Sequence, residues 1–213
     1  MAVVPAGECR ADFLNMTASP PGQVVLLNGA SSSGKTTLSR QLLADFDTPW
    51  FHMGVDMFGA MRAEQRTREL DPADLRDVLH RTRAGFHRAV AGMAHAGNDI
   101  VMDHVLSEPW RLADLLTVMV GIDVVFVGVH CSIPTLVERE TLRRTRAVGT
   151  AADQATKVHF HGLYDIEVDT AADTSEACSA QIRHYLQRNR AAPGRRAFDR
   201  LRRIGLPSQT EID

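Results

Sequence analysis

Short apolar runs alternate with longer stretches of mixed polarity along most of the chain. The runs lie at residues 24–27, 50–55, 100–102 and 124–129, and a weaker one lies at 164–168. Their continuity predicts short strands that are buried on both faces of a sheet. Between the runs, apolar residues recur at the three- and four-residue spacing of amphipathic helices. Strands that alternate with helices in this way predict repeated βαβ units and an α/β fold.

Capping signals mark the ends of several of these helices. Asp71 followed by Pro72 predicts an N-cap with proline at the first helical position, and Gly97 predicts the C-terminal end of the same helix. Further helices are predicted to begin at 107–109 and 132–134, and another to span 174–188. The predicted architecture is a three-layer sandwich, in which helices cover both faces of a mostly parallel five-stranded sheet.

A phosphate-binding motif lies between the first predicted strand and the helix after it. Residues 29–36 read GASSSGKT and match G-x-x-x-x-G-K-[ST] in the strand–loop–helix context that this motif requires. Glycines let the backbone curve around a polyphosphate, and amides at the helix N-terminus bind the anion. Lys35 is expected to reach the β- and γ-phosphates, and the Thr36 hydroxyl to ligate Mg²⁺. The motif predicts a P-loop NTPase-type fold that binds ATP or GTP through Gly29, Ala30, Ser31, Ser32, Ser33, Gly34, Lys35, Thr36 and Thr37.

Two aspartates follow apolar runs and are candidates for catalysis and metal binding. Because ligands of an open parallel sheet lie beyond the carboxyl ends of its strands, we expect Asp56 and Asp103 near the phosphate loop. Asp56 is expected to accept the proton of a hydroxyl group whose oxygen attacks the γ-phosphorus. The alternative for Asp56 is a helix cap or a solvated turn. Asp103 is expected to hold Mg²⁺ together with Thr36, through water.

Four arginines fall within residues 139–146. A mobile segment that brings arginines over the transferring phosphoryl group would act as a lid, which we expect at about 139–152. Arg143 and Arg146 lie three residues apart on one helix face and are the catalytic candidates. The alternative, strongest for Arg139 and Arg144, is a solvated helix face whose arginines pair with Glu138 and Glu140.

Apolar residues surround Asp56 and predict an acceptor pocket with aromatic and methionine walls. The residues expected to contact the acceptor are Met53, Asp56, Met57, Phe58 and Met61. For each apolar residue the alternative is ordinary core packing. His104, next to Asp103, is a further candidate that either contacts the acceptor or caps the next helix.

Taken together, these segments resemble the chloramphenicol phosphotransferase family from about residue 23 to residue 185. The resemblance is carried by LNG and the phosphate loop at 27–35, GVD at 54–56, IVMD at 100–103, RET at 139–141 with Arg143 and Arg146, and YDIEVDT at 164–170. The phosphate loop is shared by very many proteins, whereas GVD and YDIEVDT are far more specific.

The resemblance implies a P-loop kinase fold related to shikimate and adenylate kinases. It also implies ATP-dependent phosphorylation of the primary hydroxyl of chloramphenicol, which inactivates the antibiotic. By the same resemblance Asp56 matches the catalytic base, Lys35 and Thr36 the phosphate and magnesium residues, and Arg143 and Arg146 the lid arginines. Two features depart from the family: His104 stands where a second acidic residue is expected, and the segment between Asp56 and the long helix is shorter and highly charged.

Two alternatives to an antibiotic phosphotransferase stay open. One is a kinase of another hydroxylated metabolite or nucleoside. The other is a nucleotide-binding regulator or nucleic-acid partner that acts through an arginine-rich tail at 189–213. From Arg188 to Arg203 this region has seven arginines against Asp199, a balance that can bind nucleic-acid phosphates. The favoured interpretation of the tail is an amphipathic helix that docks on the body of the protein.

The remaining composition indicates a cytoplasmic protein with one domain at 23–188. The 213 residues include 24 basic and 26 acidic ones, a balance that argues against a dedicated binder of nucleic acid or membrane surfaces. No apolar run is long enough to span a membrane. Residues 1–22 resemble a disordered leader, within which Met16 is an alternative start, and the three widely spaced cysteines predict free thiols. The expected partner is a small hydroxylated molecule, and self-association of the chain is left open.

Overall fold

A five-stranded parallel sheet lies at the centre of the computed structural model, which describes residues 20–143, 149–189 and 194–206. The strands stand in the order β2-β3-β1-β4-β5, and each described pairing is parallel. Their bounds are β1 Val24–Asn28, β2 Trp50–Gly54, β3 Asp99–His104, β4 Val124–His130 and β5 Ile166–Asp169. The predicted α/β sandwich is therefore confirmed.

Helices connect the strands and cover both faces of the sheet. Their bounds are α1 Lys35–Asp45, α2 Val55–Ala60, α3 Glu64–Arg68, α4 Pro72–His95, α5 Pro109–Val118, α6 Ile133–Arg143, α7 Thr150–Lys157, α8 Ser175–Arg188 and α9 Ala197–Ile204. Three short helices, α2, α3 and α7, depart from the prediction. They have six, five and eight residues, too few for an apolar stripe to repeat.

The two faces of the sheet bury separate apolar clusters, because successive side chains of a strand point to opposite faces. Val24 and Leu26 of β1 pack in a cluster that also holds buried residues of α4, α5 and α9. Val25 and Leu27 pack in the second cluster, with buried residues of α1 and α8. Each strand therefore contributes apolar side chains on both faces, which explains why the apolar runs are continuous rather than alternating.

The arginine-rich tail docks on the body of the protein through α9. Phe198 and Leu201 are buried in the core, and the Phe198 ring meets Phe126 of β4 edge-on with centroids 5.1 Å apart. Arg196, also buried, donates through Nε to Asp123 over 2.8 Å. The described part of the tail therefore has the docked helix that the sequence favours.

Several predicted features lie outside the described residues. They include the leader as far as residue 19, Arg146 with the rest of 144–148, and residues 190–193 and 207–213 of the tail. Of Arg143, only the backbone at the end of α6 belongs to the described structure. Within the described residues, no helix combines the length and the apolar character that crossing a membrane requires.

The start of α4 provides a test of the predicted cap. Asp71 Oδ1 accepts hydrogen bonds from the backbone amides of Ala73 and Asp74, over 2.8 and 2.9 Å. Because Asp71→Ala leaves these amides without a side-chain acceptor, we expect it to lower the free energy of unfolding by about 1 kcal/mol in urea denaturation. Asp77→Ala, an exposed change in the same helix, is the control and should stay within about 0.5 kcal/mol of wild type. Equal losses for the two variants would contradict the cap.

Candidate active site

The phosphate loop, residues 29–34, joins β1 to α1 in a tightly curved path. Ser32 and Gly34 have φ values of 62° and 86°, in the left-handed region. A Cβ atom on Gly29 would lie 2.4 Å from the Val129 carbonyl oxygen, so a side chain there is excluded. Backbone that curves in this way into a helix N-terminus presents amides to an anion, which fits the motif's expected role.

Lys35 is held against this loop. Its Nζ donates to the carbonyl oxygens of Gly29 and Ala30 over 2.9 and 2.7 Å, and the side chain is buried. The ammonium charge therefore lies beside the amides that would bind phosphate, where it can reach the phosphates nearest the transferred group.

Asp103, Thr36 and His52 meet at the carboxyl end of β3. Thr36 Oγ1 donates to Asp103 Oδ2 over 2.9 Å, and His52 Nε2 lies 3.3 Å from the same oxygen. Burial raises the pKa of Asp103, but the hydrogen bonds from His52 and Thr36 and the charge of Lys35 outweigh it and hold that pKa below its ordinary value. An ionised carboxylate and a hydroxyl are the oxygen ligands that Mg²⁺ prefers, so this pair fits a magnesium site.

Sequence reasoning did not find His52. It lies in β2, in register with Val101 of the neighbouring strand β3. A polar residue inside the apolar run at 50–55 is the signal that could have identified it.

Asp56 lies where two cavities adjoin. It occupies the first turn of α2 and is exposed. The first cavity is lined by the phosphate loop, Lys35, Thr36 and Asp103, and we call it the phosphate-loop cavity. The second we call the arginine cavity; its lining residues are Val55, Asp56, Gly59, Arg62, Leu79, Thr82, Arg83, His104, Val105, Arg111 and Gln154. Because Asp56 lines both, it stands between a phosphate site and a second binding space.

The predicted apolar walls are not brought to either cavity. Met57 and Met61 are exposed, Phe58 packs on Phe86 with ring centroids 4.9 Å apart, and Met53 packs against the core. The reason is that the chain turns into α2 at Val55, so Asp56 and Gly59, three residues apart, share the face that lines the arginine cavity. The residues between them lie on the other faces of the helix.

His104 is fully buried, and hydrogen bonds within the protein engage both of its ring nitrogens. Its Nδ1 accepts from the Val105 amide over 2.8 Å, so its Nε2 must carry the proton that it donates to His87 Nε2, also 2.8 Å away. His87 in turn donates through Nδ1 to Asp114 over 2.7 Å. Burial lowers the pKa of both histidines, which keeps the rings neutral. Within the described structure no ring nitrogen of His104 is left for an acceptor, and the side chain instead holds the backbone of Val105 at the junction of the two cavities.

Arg139 and Glu140 bind the ends of the predicted lid to the body. Arg139 donates to the side-chain and backbone oxygens of Thr170 over 3.2 and 2.8 Å, at a third cavity beside the phosphate loop. Glu140 is buried and accepts from the amides of Gly149 and Ala151 over 2.7 and 3.0 Å. The carboxylate therefore joins α6 to the start of α7 across the part of the lid outside the described residues. Sequence reasoning used Glu140 as part of the RET segment and as a surface partner for arginine, and it did not predict this contact.

The alternating histidines His159 and His161 pack on aromatic rings beside β1. His159 stacks on His130 with ring centroids 4.2 Å apart, and its Nδ1 lies 2.6 Å from the Tyr164 hydroxyl. His161 stacks on Phe126 at 4.8 Å. The described residues contain no group of three histidine, cysteine or acidic side chains placed to hold a metal ion.

His159 and His161 predict a pH-dependent stability. Burial lowers the pKa of both His159 and His161 to about 4, whereas the unfolded chain titrates near 6.5. Between these values the unfolded state binds more protons, so the free energy of unfolding should fall as pH drops from about 6.5 to about 4. Each histidine contributes up to about 1.4 kcal/mol per pH unit.

His161→Gln should make this slope shallower in urea denaturation measured across the window. The control is His184→Gln, an exposed change in α8 that should leave the slope unchanged. A wild-type slope in His161→Gln would contradict the buried, neutral ring.

Comparisons with known proteins identify relatives in sequence and in fold. A family model described as chloramphenicol phosphotransferase-like protein matches residues 22–187. Two curated proteins from strains of Mycobacterium tuberculosis, each provisionally named an O-phosphotransferase, are 29% identical over 221 residues, which cover 93% of this chain and 96% of theirs.

Solved structures extend the likeness in fold. The APS kinase of Mycobacterium tuberculosis, solved in complex with AMPPNP and APS, is 14% identical with a TM-score of 0.58, over 79% of this chain and 99% of that one. A tunicamycin resistance protein of Deinococcus radiodurans is 19% identical with a TM-score of 0.57, over 78% and 96%. At these identities the structures show the fold alone.

Proposed function

Because this chain belongs to the chloramphenicol phosphotransferase-like family, we propose that it transfers the γ-phosphoryl group of ATP to a hydroxyl group of a small antibiotic of the chloramphenicol type and thereby inactivates it. The family match confirms the resemblance found in the sequence, and with the kinase fold it makes the chain a phosphotransferase. The acceptor, the inactivation of an antibiotic and a cytoplasmic location belong to the proposal.

The position of Asp56 between the two cavities is the observation that carries the proposal. A hydroxyl group held in the arginine cavity could approach a γ-phosphate held in the phosphate-loop cavity only past residues that line both, and Asp56 is the carboxylate among them. We propose that Asp56 accepts the hydroxyl proton as that oxygen forms its bond to phosphorus. The bond from phosphorus to the β–γ bridging oxygen breaks, and ADP leaves with that oxygen.

The nucleotide is proposed to extend from the phosphate loop towards Arg139. Lys35 and the loop amides would hold the β- and γ-phosphates. The third cavity, which is lined by Gly34, Thr37, Arg139 and Thr170 among others, would hold the nucleoside. Thr36 and Asp103 would hold Mg²⁺, which supplies positive charge to the phosphates when bound.

Arg143 and Arg146 are proposed as the arginines of the lid. Arg143 ends α6, three residues beyond the buried Glu140 that binds the start of α7. A segment anchored at both ends in this way could close over the phosphate-loop cavity, which Glu140 also lines.

A second candidate is a kinase of another hydroxylated small molecule. It is favoured by the charge of the arginine cavity, where arginines line the space for which the sequence predicts apolar walls. The docking of α9 on the core supports an enzyme body rather than a free basic arm for nucleic acid.

The direct test is turnover of chloramphenicol with Mg²⁺-ATP. We expect formation of ADP together with a product heavier by one phosphoryl group, observed by mass spectrometry. A sensitive host that expresses the protein should tolerate more of the antibiotic than one that expresses Asp56→Asn. Absence of both effects would exclude chloramphenicol as the acceptor and favour the second candidate.

A further inference from the structure

Three arginines from different parts of the chain meet in the arginine cavity. Arg62 follows α2, Arg83 lies in α4 and Arg111 lies in α5. Leu79, Thr82 and Arg83 line the cavity together because residues three and four apart share one helix face. Among the described side chains that line this space, Asp56 is the one carboxylate beside the three guanidinium groups.

Arg111 and Arg62 are not fully satisfied within the described protein. Arg111 is 5% exposed, donates to the Val105 carbonyl over 2.8 Å and forms an ion pair with Glu108. Its Nε is buried and has no hydrogen-bond partner among the described residues, and the same holds for Nε of Arg62. Burial, followed by the charge of Arg83, lowers the pKa of Arg111 to about 10. The cavity therefore gathers three guanidinium groups, two of which have a buried nitrogen without an acceptor among the described residues.

The arginines stand apart from the phosphate loop. None of the three lines the phosphate-loop cavity as the structure describes it, and no residue of the loop lines the arginine cavity. They are therefore positioned for the acceptor rather than for the phosphates of the nucleotide.

The geometry points to an acceptor that carries an anionic group, a carboxylate or a phosphate or sulfate ester, which the arginine cavity binds while the acceptor's hydroxyl group lies at Asp56. Guanidinium groups bind such oxyanions through paired, charge-assisted hydrogen bonds. The hydrogen bonds that they form with an uncharged phosphoryl acceptor are weaker. The inference rests on the proposed phosphoryl transfer for the role of Asp56, and it deepens the second candidate function, because chloramphenicol carries no anionic group. The anion site itself does not require turnover.

Anion binding is tested with the phosphate loop already occupied. The protein is saturated with AMPPNP and Mg²⁺, and Tm is measured in sodium sulfate, phosphate or acetate against chloride at equal ionic strength. An anion that binds the folded state alone, at ten times its dissociation constant, should raise Tm by about 3–5 °C. Because sulfate also stabilises proteins by exclusion from their surface, the decisive quantity is the difference between wild type and variants.

Arg83→Gln and Arg62→Gln should each lose most of the anion-induced rise in Tm, while Arg81→Gln should keep it. Arg81 is an exposed residue of the same helix and does not line the cavity among its described residues. A larger shift with acetate would identify a carboxylate acceptor, and a larger shift with sulfate or phosphate an ester. Equal Tm shifts in wild type and all three variants would overturn the inference. Because two cavity variants are measured, the test still decides if one of them fails to fold.

Failure of the inference and failure of the proposed function are distinguishable. One outcome is that anions raise Tm in an Arg83-dependent way while no hydroxylated compound is phosphorylated with ATP. That result would support the anion site and contradict the phosphotransferase role of this chain. The other outcome is that wild type and Arg83→Gln phosphorylate chloramphenicol with the same kcat/KM and that anions do not raise Tm. That result would support the phosphotransferase and overturn the anionic acceptor.

Discussion

Asp56→Asn should lower kcat by roughly 10²–10⁴-fold, the range for a lost general base. Asparagine keeps the shape of the side chain at the junction of the two cavities but accepts a proton far less readily than a carboxylate. Nucleotide binding should be unchanged, since the phosphate loop is intact, and AMPPNP titration by calorimetry measures this directly. The loss should therefore appear in kcat and not in the KM for ATP.

The matched control for this change is Asp77→Asn, which removes one exposed carboxylate from α4 at a position that lines neither cavity within the described structure. It should turn over at the wild-type rate. Wild-type turnover by a folded Asp56→Asn protein would instead remove Asp56 from the chemistry and leave it as an exposed residue in the first turn of α2.

Lys35→Ala should reduce phosphoryl transfer by at least roughly 10²–10³-fold, whichever acceptor is used. The ammonium is held between the carbonyls of Gly29 and Ala30, and its removal takes the nearest positive side-chain charge from the phosphate loop. Lys35→Arg should not restore activity, because a planar guanidinium does not replace a compact ammonium in this enclosed position.

The chain offers a control in its one other lysine. Lys157 is exposed at the end of α7 and pairs with Asp153 over 2.6 Å, so Lys157→Ala should leave the rate unchanged. Initial rates of ADP formation with the same acceptor compare the variants. Phosphoryl transfer at the wild-type rate in Lys35→Ala would mean that the loop does not bind the transferred phosphate.

The sheet could be predicted because its strands are buried on both faces, which makes their apolar runs continuous and easy to recognise. The longer helices could be predicted for a related reason, since α4 and α8 carry apolar stripes and begin at the capping residues Asp71 and Thr174. The helix α2 could not, because its six residues are too short for a stripe and continue the apolar run of β2.

One part of the candidate site could likewise be predicted from the sequence, and another part could not. The phosphate loop is a contiguous motif. Asp56 follows β2 and Asp103 lies near the carboxyl end of β3, and because these ends meet at one edge of the sheet, the sequence places the two aspartates together. The arginine cavity is assembled from Arg62, Arg83 and Arg111, which are separated by more than twenty residues each and share no local pattern. Only the crossing of α2, α4 and α5 brings these charges together.

The helix α9 affects where the protein can be cut for expression. The family match ends at residue 187, whereas Phe198 and Leu201 fill the core beyond it. A chain truncated at that boundary would uncover the apolar surface around Phe126 and leave Asp123 without its arginine. Such a surface promotes aggregation. For this protein a domain boundary taken from the family match alone would therefore yield poorly soluble material, and a shortened chain needs to keep α9.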